Sequence, residues 1–543
     1  MGAEVITIVP KDQSGYRIRR VTVLGAGTMG ARIAARIANS GFPVLLLDVP
    51  DADGKSPNGV AERALDALRK SRPAAFVDEA ATARIVVGNF RDDLDRITTY
   101  DWIIEAVVER LDVKQQLLAK VLPYLHPMAL LTSNTSGIPL RQIAEKFPED
   151  VRRRWMGTHF FNPPRYMRSF ELIPGDETAR SAVSAIADFA ELHLGKTVVK
   201  VNDTPNFIAN RIGVFVMLDT MKIASERGLA LEEVDALTGS TLEWPKTATF
   251  RLADLVGVDV LAHVARNFAG LKSDERSDVT LPAFVERMVA EGRVGDKVGQ
   301  GFYTKRGAAG KEQRLALDLS TFDYAPAKDA AFPELASIKD FRDAQTRLRA
   351  LFAMGPKENR VAEFYWAPLP DLWSYAANRL GEVIESLADI DIAMMAGFNW
   401  QLGPFAMWDA AGVENTVASM RAMNKPIPQA VETLLASGGT SWYRADGSEY
   451  FDVIQKRYLV VPRSPRELLI EPLRASHTLR GNRSVSLIDL GDGVACLELH
   501  SKMNSVWRDS ASFLEETLAA RGTSDAVRGF VIGTVADHFS ALT

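Results

Sequence analysis

Cysteine is almost absent: the 543 residues hold one, Cys496. That excludes internal disulfides and Cys-rich metal sites, and it fits a reducing compartment. Histidine is scarce too, with seven residues. They are scattered, with no H-x-x-x-H or H-E-x-x-H spacing, so no metal is expected. No run approaches the ~18 apolar residues of a membrane span. The opening "MGAEVITIVPKDQSGYRIRR" lacks an apolar core of signal-peptide length. An excess of positive charge is missing as well. The net charge of −5 gives no basic field for nucleic acid, while a local basic pocket for an anion stays open. What is there, 47% apolar and 24% charged residues, is the balance of a globular protein. A prior of ~150 residues per domain divides the chain into three or four, expected in the cytoplasm.

The richest stretch is "RRVTVLGAGTMGARIAARIANSGFPVLLLDVP". Val21–Leu24 reads as a short buried strand, and Gly25, Gly27 and Gly30 then make G-x-G-x-x-G. Ile33, Ala34, Ile37 and Ala38 share one helical face, and Val44–Leu47 is a second strand with Asp48 at its end. The first glycine permits the tight turn, the second admits a pyrophosphate to the backbone, and the third brings helix against strand. The helix N-terminus, at Thr28 and Met29, adds N–H groups and positive potential. Asp48 suits a ribose diol and would repel a 2′-phosphate, so NAD is favoured over NADP.

Alternation continues: helix at 59–71, strands at 84–87 and 102–107, helix at 111–122, strand at 129–132. This predicts an α/β, doubly wound parallel sheet whose ligands lie beyond the carboxyl ends of the strands. Glu105, Glu109 and "TSNTS" fall on that side. "LGKT" at 194–197 ends like a P-loop, but the required first glycine is Ala190, and the stretch reads better as the start of a strand.

"WMGTHFF" and "RSFELIP" are strand-like runs joined by "NPPRYM". Pro163 and Pro164 exclude helix and predict a corner. In a hairpin centred near Arg165, His159 and Glu171 become cross-strand neighbours. A carboxylate there would fix the tautomer of the imidazole and support its protonated form, making His159 a candidate general base. A core histidine satisfied by a half-buried glutamate is the alternative.

"VLGAGTMG", "SNTSGIPL", "HFFNPP", "ELIPG", "DTPNFIANRI", "STLEWPKTATFRLADLVGVD" and "GDKVGQGFYTK" follow in that order through residues 17–305. Together they resemble the L-3-hydroxyacyl-CoA dehydrogenase family. The resemblance implies NAD-dependent oxidation of a 3-hydroxyacyl-CoA to the 3-oxoacyl-CoA on a Rossmann-like domain at 17–202 and a helical domain at 203–305. It implies His159 as base with Glu171 as partner, and Ser136 and Asn210 as hydrogen-bonding partners of the substrate. Glu109, Lys114, Asn162 and Lys305 fall where members of the family contact the cofactor. From the residues alone, Ser136 capping a turn and Asn210 capping a helix stay open. Arg69, Lys70 and Arg72 are compatible with CoA phosphates or with a solvated face. Two departures stand out: Asn206, where glycine is frequent, and a lengthening between Ser136 and His159, expected in the surface loop "EKFPEDVRRR".

The second half carries a repeat. "LEEVDALTGSTLEWPKTATFRLADLVGVD" aligns with "LADIDIAMMAGFNWQLGPFAMWDAAGVE", matching Asp235 to Asp391, Trp244 to Trp400, Asp254 to Asp409 and Gly257 to Gly412. This is similar to a duplicated all-α dehydrogenase domain of large fatty-acid oxidation enzymes, with a linker or docking segment at 306–350 and the second copy at 351–472. Single-copy members dimerise through this domain. A duplicate in cis can supply that contact, so homodimer and monomer both stay open, as does a thiolase partner. From 484 to 543 the pattern of strand, turn, strand, helix and strand resembles the opening of a crotonase-type enoyl-CoA hydratase, with a first oxyanion donor near Ala541. Leu542 replaces the expected glycine, and no hydratase activity is expected of this chain. A scaffold that keeps the fold without turnover is the remaining alternative.

Overall fold

The computed structural model describes residues 15–51, 56–269, 274–276, 278–307, 312–341, 343–444, 447–462, 468–501, 504–521 and 527–535. Two compact units divide the chain, one reaching to Val461 and a second beginning at Pro462.

The first unit opens on an eight-stranded sheet. Its strands are β1 (Val21–Leu24), β2 (Val44–Asp48), β3 (Ile85–Asn89) and β4 (Trp102–Glu105). β5 (Leu130–Ser133), β6 (Trp155–Phe160), β7 (Ser169–Pro174) and β8 (Thr197–Lys200) complete it. The order is β3-β2-β1-β4-β5-β6-β7-β8, parallel except for the antiparallel β6–β7 pair. Side chains alternate between two cores. Val44 and Leu46 enter one, Leu45 and Leu47 the other, as the period of two requires. Burial on both faces explains the unbroken apolar runs of these strands. Helices α1 (Thr28–Asn39), α2 (Gly59–Arg69), α3 (Leu111–Val121), α4 (Leu140–Ile143), α5 (Glu149–Arg152) and α6 (Arg180–Leu192) connect them. The "EKFPEDVRRR" stretch, expected as a surface loop, contains α5. It is anchored by Arg154, whose guanidinium donates to the Ala129 carbonyl at 2.6 Å.

Helices follow: α7 (Ala209–Arg227), α8 (Leu231–Thr238), α9 (Phe250–Val256), α10 (Val258–Ala269) and α11 (Ala283–Ala290). A three-stranded sheet, β9 (Tyr303–Arg306), β10 (Gln313–Leu317) and β11 (Tyr324–Pro326), comes next. It leads through α12 (Ala336–Lys339) and α13 (Ala344–Ala353) to α14 (Arg360–Tyr365) and α15 (Pro368–Asn378). The second copy continues with α16 (Leu387–Phe398), α17 (Pro404–Ala411), α18 (Val413–Ala422) and α19 (Gln429–Ala436). It too ends on a three-stranded sheet, β12 (Tyr443–Arg444), β13 (Glu449–Asp452) and β14 (Arg457–Val460). The helical domains therefore carry small sheets that an all-α reading omits, because strands this short leave little periodicity. The segment expected as a linker, 306–350, buries Leu317, Leu335, Ile338 and Leu348 in the same core as the helices.

The repeat is visible atom by atom. Asp235 accepts the N–H groups of Thr249, Phe250 and Arg251 and the hydroxyl of Tyr303; Asp391 accepts those of Phe405 and Ala406 and the hydroxyl of Tyr443. Asp254 takes the N–H groups of Phe302 and Tyr303, and Asp409 those of Trp442 and Tyr443. Gly257 (φ 107) and Gly412 (φ 91) both take backbone angles that a side chain would strain. Trp244 stacks on Trp400 with centroids 4.4 Å apart and planes 10° apart.

In the second unit, β15 (Thr478–Gly481), β16 (Val485–Gly491), β17 (Val494–Leu499) and β18 (Gly529–Gly533) form one sheet in sequence order. Helix α20 (Ile470–His477) precedes it, and α21 (Arg508–Arg521) crosses from β17 to the parallel β18. Val485, Leu487, Leu497 and Phe513 form its core. Ala541 and Leu542 lie outside the described residues. Among the described residues, no helix is long and apolar enough to cross a membrane.

Candidate active site

The β1–α1 turn has the shape its glycines suggest. Gly25 sits at φ 104, where a Cβ would meet the Ala106 carbonyl oxygen at 2.7 Å. A Cβ at Gly30 would overlap the Gly25 carbonyl, so the helix closes on the strand only because both are glycine. A Cβ at Gly27 would meet nothing within 4 Å, leaving open space over the start of α1, where Thr28 and Met29 begin the helix. Asp48, ending β2, accepts the Ala26 N–H at 2.5 Å. A pyrophosphate at the helix N-terminus and a ribose diol at Asp48 both fit these groups.

The β6–β7 hairpin pairs His159 directly with Glu171. Nδ1 of His159 lies 2.6 Å from Glu171 Oε2, and Nε2 lies 3.1 Å from Ser136 Oγ. His159 is 4% exposed and Glu171 fully buried, and the rings of Phe161 and Phe207 lie 4.9 and 5.6 Å from the imidazole. The other carboxylate oxygen of Glu171 accepts the N–H groups of Ala209 (2.9 Å) and Ile208 (3.3 Å) at the start of α7. Those donors hold Glu171 as an acceptor, which assigns the proton between the two side chains to Nδ1 and leaves the Nε2 lone pair facing Ser136. Asn210 follows Ala209 inside the first turn of α7, past the capping position.

Glu109 holds the Ser136 loop. Its Oε1 accepts the Thr135 hydroxyl at 2.5 Å and the N–H groups of Ser136 and Gly137 at 2.8 and 3.2 Å. Burial acts to raise its pKa, but the Lys114 ammonium and the bonds from Thr135 and Ser136 outweigh that and hold it below its usual value. Lys114 itself is buried, with Nζ 2.8 Å from Glu105 and 3.1 Å from Glu109. Its charge bears on the site through Glu109. Asn162 accepts the Arg32 guanidinium at 2.8 Å. Lys305 stands apart from this cluster, on the exposed end of β9, facing Glu312 at 3.5 Å.

Three supporting roles were not legible in the sequence. Asn134 Oδ1 accepts the Phe160 N–H at 2.9 Å, tying the Ser136 loop to the strand of His159. Asp203 accepts the N–H groups of Leu140 (3.1 Å) and Arg141 (3.4 Å). Lys196, the lysine of the P-loop look-alike, is buried and donates to the carbonyls of Pro164 (2.5 Å) and Met167 (2.6 Å) in the proline corner. The only hint of that role is a lysine leading into a buried strand.

A dinucleotide turn beside a carboxylate-held imidazole is the architecture of a nicotinamide-dependent dehydrogenase. Residues 20–204 match the family model "3-hydroxyacyl-CoA dehydrogenase, NAD binding domain". Residues 207–305 and again 369–436 match "3-hydroxyacyl-CoA dehydrogenase, C-terminal domain". The chain is 35% identical to the protein named "Probable 3-hydroxyacyl-CoA dehydrogenase" of Bacillus subtilis (strain 168), over 96% of this chain and 67% of that protein. A protein of Rickettsia felis whose name includes "fatty acid oxidation complex trifunctional enzyme" is 30% identical, over 83% of this chain and 61% of its own length. The crystal structure of 3-hydroxybutyryl-CoA dehydrogenase from Escherichia coli K12 shares the fold, with a TM-score of 0.59 at 24% identity, covering 78% of this chain and 99% of that one. The chain belongs to the 3-hydroxyacyl-CoA dehydrogenase family, and its cofactor is NAD.

Proposed function

We propose that the chain oxidises the L-3-hydroxyl of fatty acyl-CoA thioesters in β-oxidation, with His159 as the general base. The observation that carries this reading is the line Ser136 Oγ, His159 Nε2, His159 Nδ1, Glu171 Oε2, with separations of 3.1 and 2.6 Å at its two polar contacts. A substrate hydroxyl at Ser136 gives its proton to Nε2, and the Glu171 carboxylate stabilises the imidazolium that forms. The Ser136 hydroxyl and the Asn210 amide donate to the substrate oxygens without adding charge. Glu109 keeps Ser136 in register with Nε2. NAD, held by Gly25, Gly27, Gly30 and Asp48, supplies the hydride acceptor. Phe161 and Phe207 keep water from the imidazole. The Rickettsia relative's name supports placement in fatty-acid oxidation.

The test is NADH formation from L-3-hydroxyacyl-CoA substrates, comparing wild type with His159→Ala. Loss of about 10²–10⁴-fold in kcat is expected. Unchanged turnover removes His159 as base.

A further inference from the structure

The N–H groups that hold Glu171 open helix α7, and the residues just after them are gripped by the second helical repeat. Arg211 is buried, and its Nε donates to the hydroxyl of Tyr375, on α15, at 3.0 Å. Its Nη2 donates to Asp274 and to Glu382, both at 3.0 Å. Tyr375, buried as well, donates its hydroxyl to the same Asp274 oxygen at 2.8 Å, which closes a ring of hydrogen bonds. Burial acts to raise the Asp274 carboxyl. The Arg276 N–H, the Tyr375 hydroxyl and the guanidinium groups of Arg379 and Arg211 outweigh that and hold it below its usual value. One turn along α7, the ring of Phe215 stacks on that of Tyr375, with centroids 3.9 Å and planes 12° apart.

Two glycines bring the repeat close to the same end of α7. A Cβ at Gly213 would overlap the ring of Phe398, the last residue of α16. A Cβ at Gly397 would lie 3.2 Å from the Ala209 Cβ and 3.2 Å from the ring of Phe161. Glycine inside a helix is unfavourable relative to alanine, so the two together mark a required close approach. Just ahead of α7, Asn202 donates its N–H to the Val383 carbonyl at 2.8 Å and its amide to the Glu382 carbonyl at 3.0 Å. The second repeat therefore grips the chain on both sides of residues 203–210. Apolar contacts let a helix slide slightly. Bonds to a buried guanidinium do not, because sliding would leave a charge unpaired out of water.

We infer that Tyr375 is a positioning residue for the oxidation: from the second repeat it fixes Arg211, and through the first turn of α7 it fixes Glu171 and the His159 ring. This rests on the reading of His159 as the base. The path is short. Tyr375 meets Arg211 at 3.0 Å, Ala209 N–H meets Glu171 at 2.9 Å, and Glu171 meets His159 Nδ1 at 2.6 Å. The second repeat thereby serves the reaction without touching substrate.

The experiment measures kcat and KM for NAD with L-3-hydroxybutyryl-CoA and L-3-hydroxypalmitoyl-CoA in wild type, Tyr375→Phe, Glu171→Gln, the double variant and Asp409→Asn. Tyr375→Phe keeps the ring stack and removes only the hydroxyl. Its kcat should fall about tenfold, with KM for NAD within about twofold of wild type. In the Glu171→Gln background the same change should cost less than about twofold, because the route to His159 is already broken. Asp409→Asn weakens the interior of the second repeat, where Asp409 holds Trp442 and Tyr443. It should lower the denaturation midpoint and keep kcat within about twofold. If Tyr375→Phe does not fold, Glu382→Ala removes another partner of Arg211 and should lower kcat about threefold, again only with Glu171 in place. An unchanged kcat, an equal loss in the Glu171→Gln background, or the same loss in Asp409→Asn overturns the inference while leaving the dehydrogenase reading intact. Full turnover by His159→Ala overturns both.

Discussion

Glu171 holds His159 with one carboxylate oxygen, at 2.6 Å, and the backbone of Ala209 with the other, at 2.9 Å. The acid of the pair thus belongs to the sheet by sequence and to the helical part by hydrogen bonding. A shift of α7, the helix that carries Asn210, would change the orientation of the imidazole, so that helix and His159 are mechanically joined.

Glu171→Gln tests that joint. An amide cannot accept from Nδ1–H and from the α7 N–H groups on both of its ends. kcat should fall by about 10²-fold or more while KM for NAD stays within about threefold, because the glycine turn is untouched. Stability should fall by ~1–3 kcal/mol in chemical denaturation, from the buried donors left unpaired. A KM effect with unchanged kcat would contradict the assignment.

Asn206 has φ 63 and is fully buried, at the position where a glycine was the family expectation. Asparagine tolerates the left-handed region where alanine is strained by ~1–2 kcal/mol. Asn206→Gly removes the side-chain bonds to Val264 and Asn267, and Asn206→Ala removes the same bonds and adds that strain, so the alanine variant should be less stable than the glycine variant by about that amount. Equal effects of the two would reject the backbone explanation.

Burial, helped by Arg36, pushes the Lys196 ammonium down to about 7. In the unfolded chain it titrates near ~10.4. Between those values the unfolded state binds the extra proton, so this group makes stability rise with pH, by at most about 1.4 kcal/mol per unit. Below about pH 7 both states are charged and the contribution is level. Wild type should therefore gain on Lys196→Met from pH 7 to 10 in denaturation free energies. A constant difference across that window would refute it.

The stacked Trp244 and Trp400 join the two repeats. Alanine at each, and at both, should give a coupling energy of ~0.5–1.5 kcal/mol in a double-mutant cycle. Additive effects would mean that each ring acts through its own repeat alone.

Local pattern was enough for the glycine turn, the parallel strands, the His159–Glu171 register and the repeat, because each depends on neighbours in sequence or on a period of two or 3.6 residues. Cross-strand pairing followed from the proline corner alone, since a hairpin's centre sets its register. The tertiary structure decided what no local pattern encodes. Lys114, which the family resemblance implies as a cofactor contact, is buried against Glu105 and Glu109, two carboxylates that would be unfavourable there unpaired, and no local pattern encodes that pairing. Lys196 found its role through carbonyls more than twenty residues away in the chain. Phe398 reached Gly213 across far more, and only the packing of one repeat on the other brought a ring to the place where a helix has no side chain.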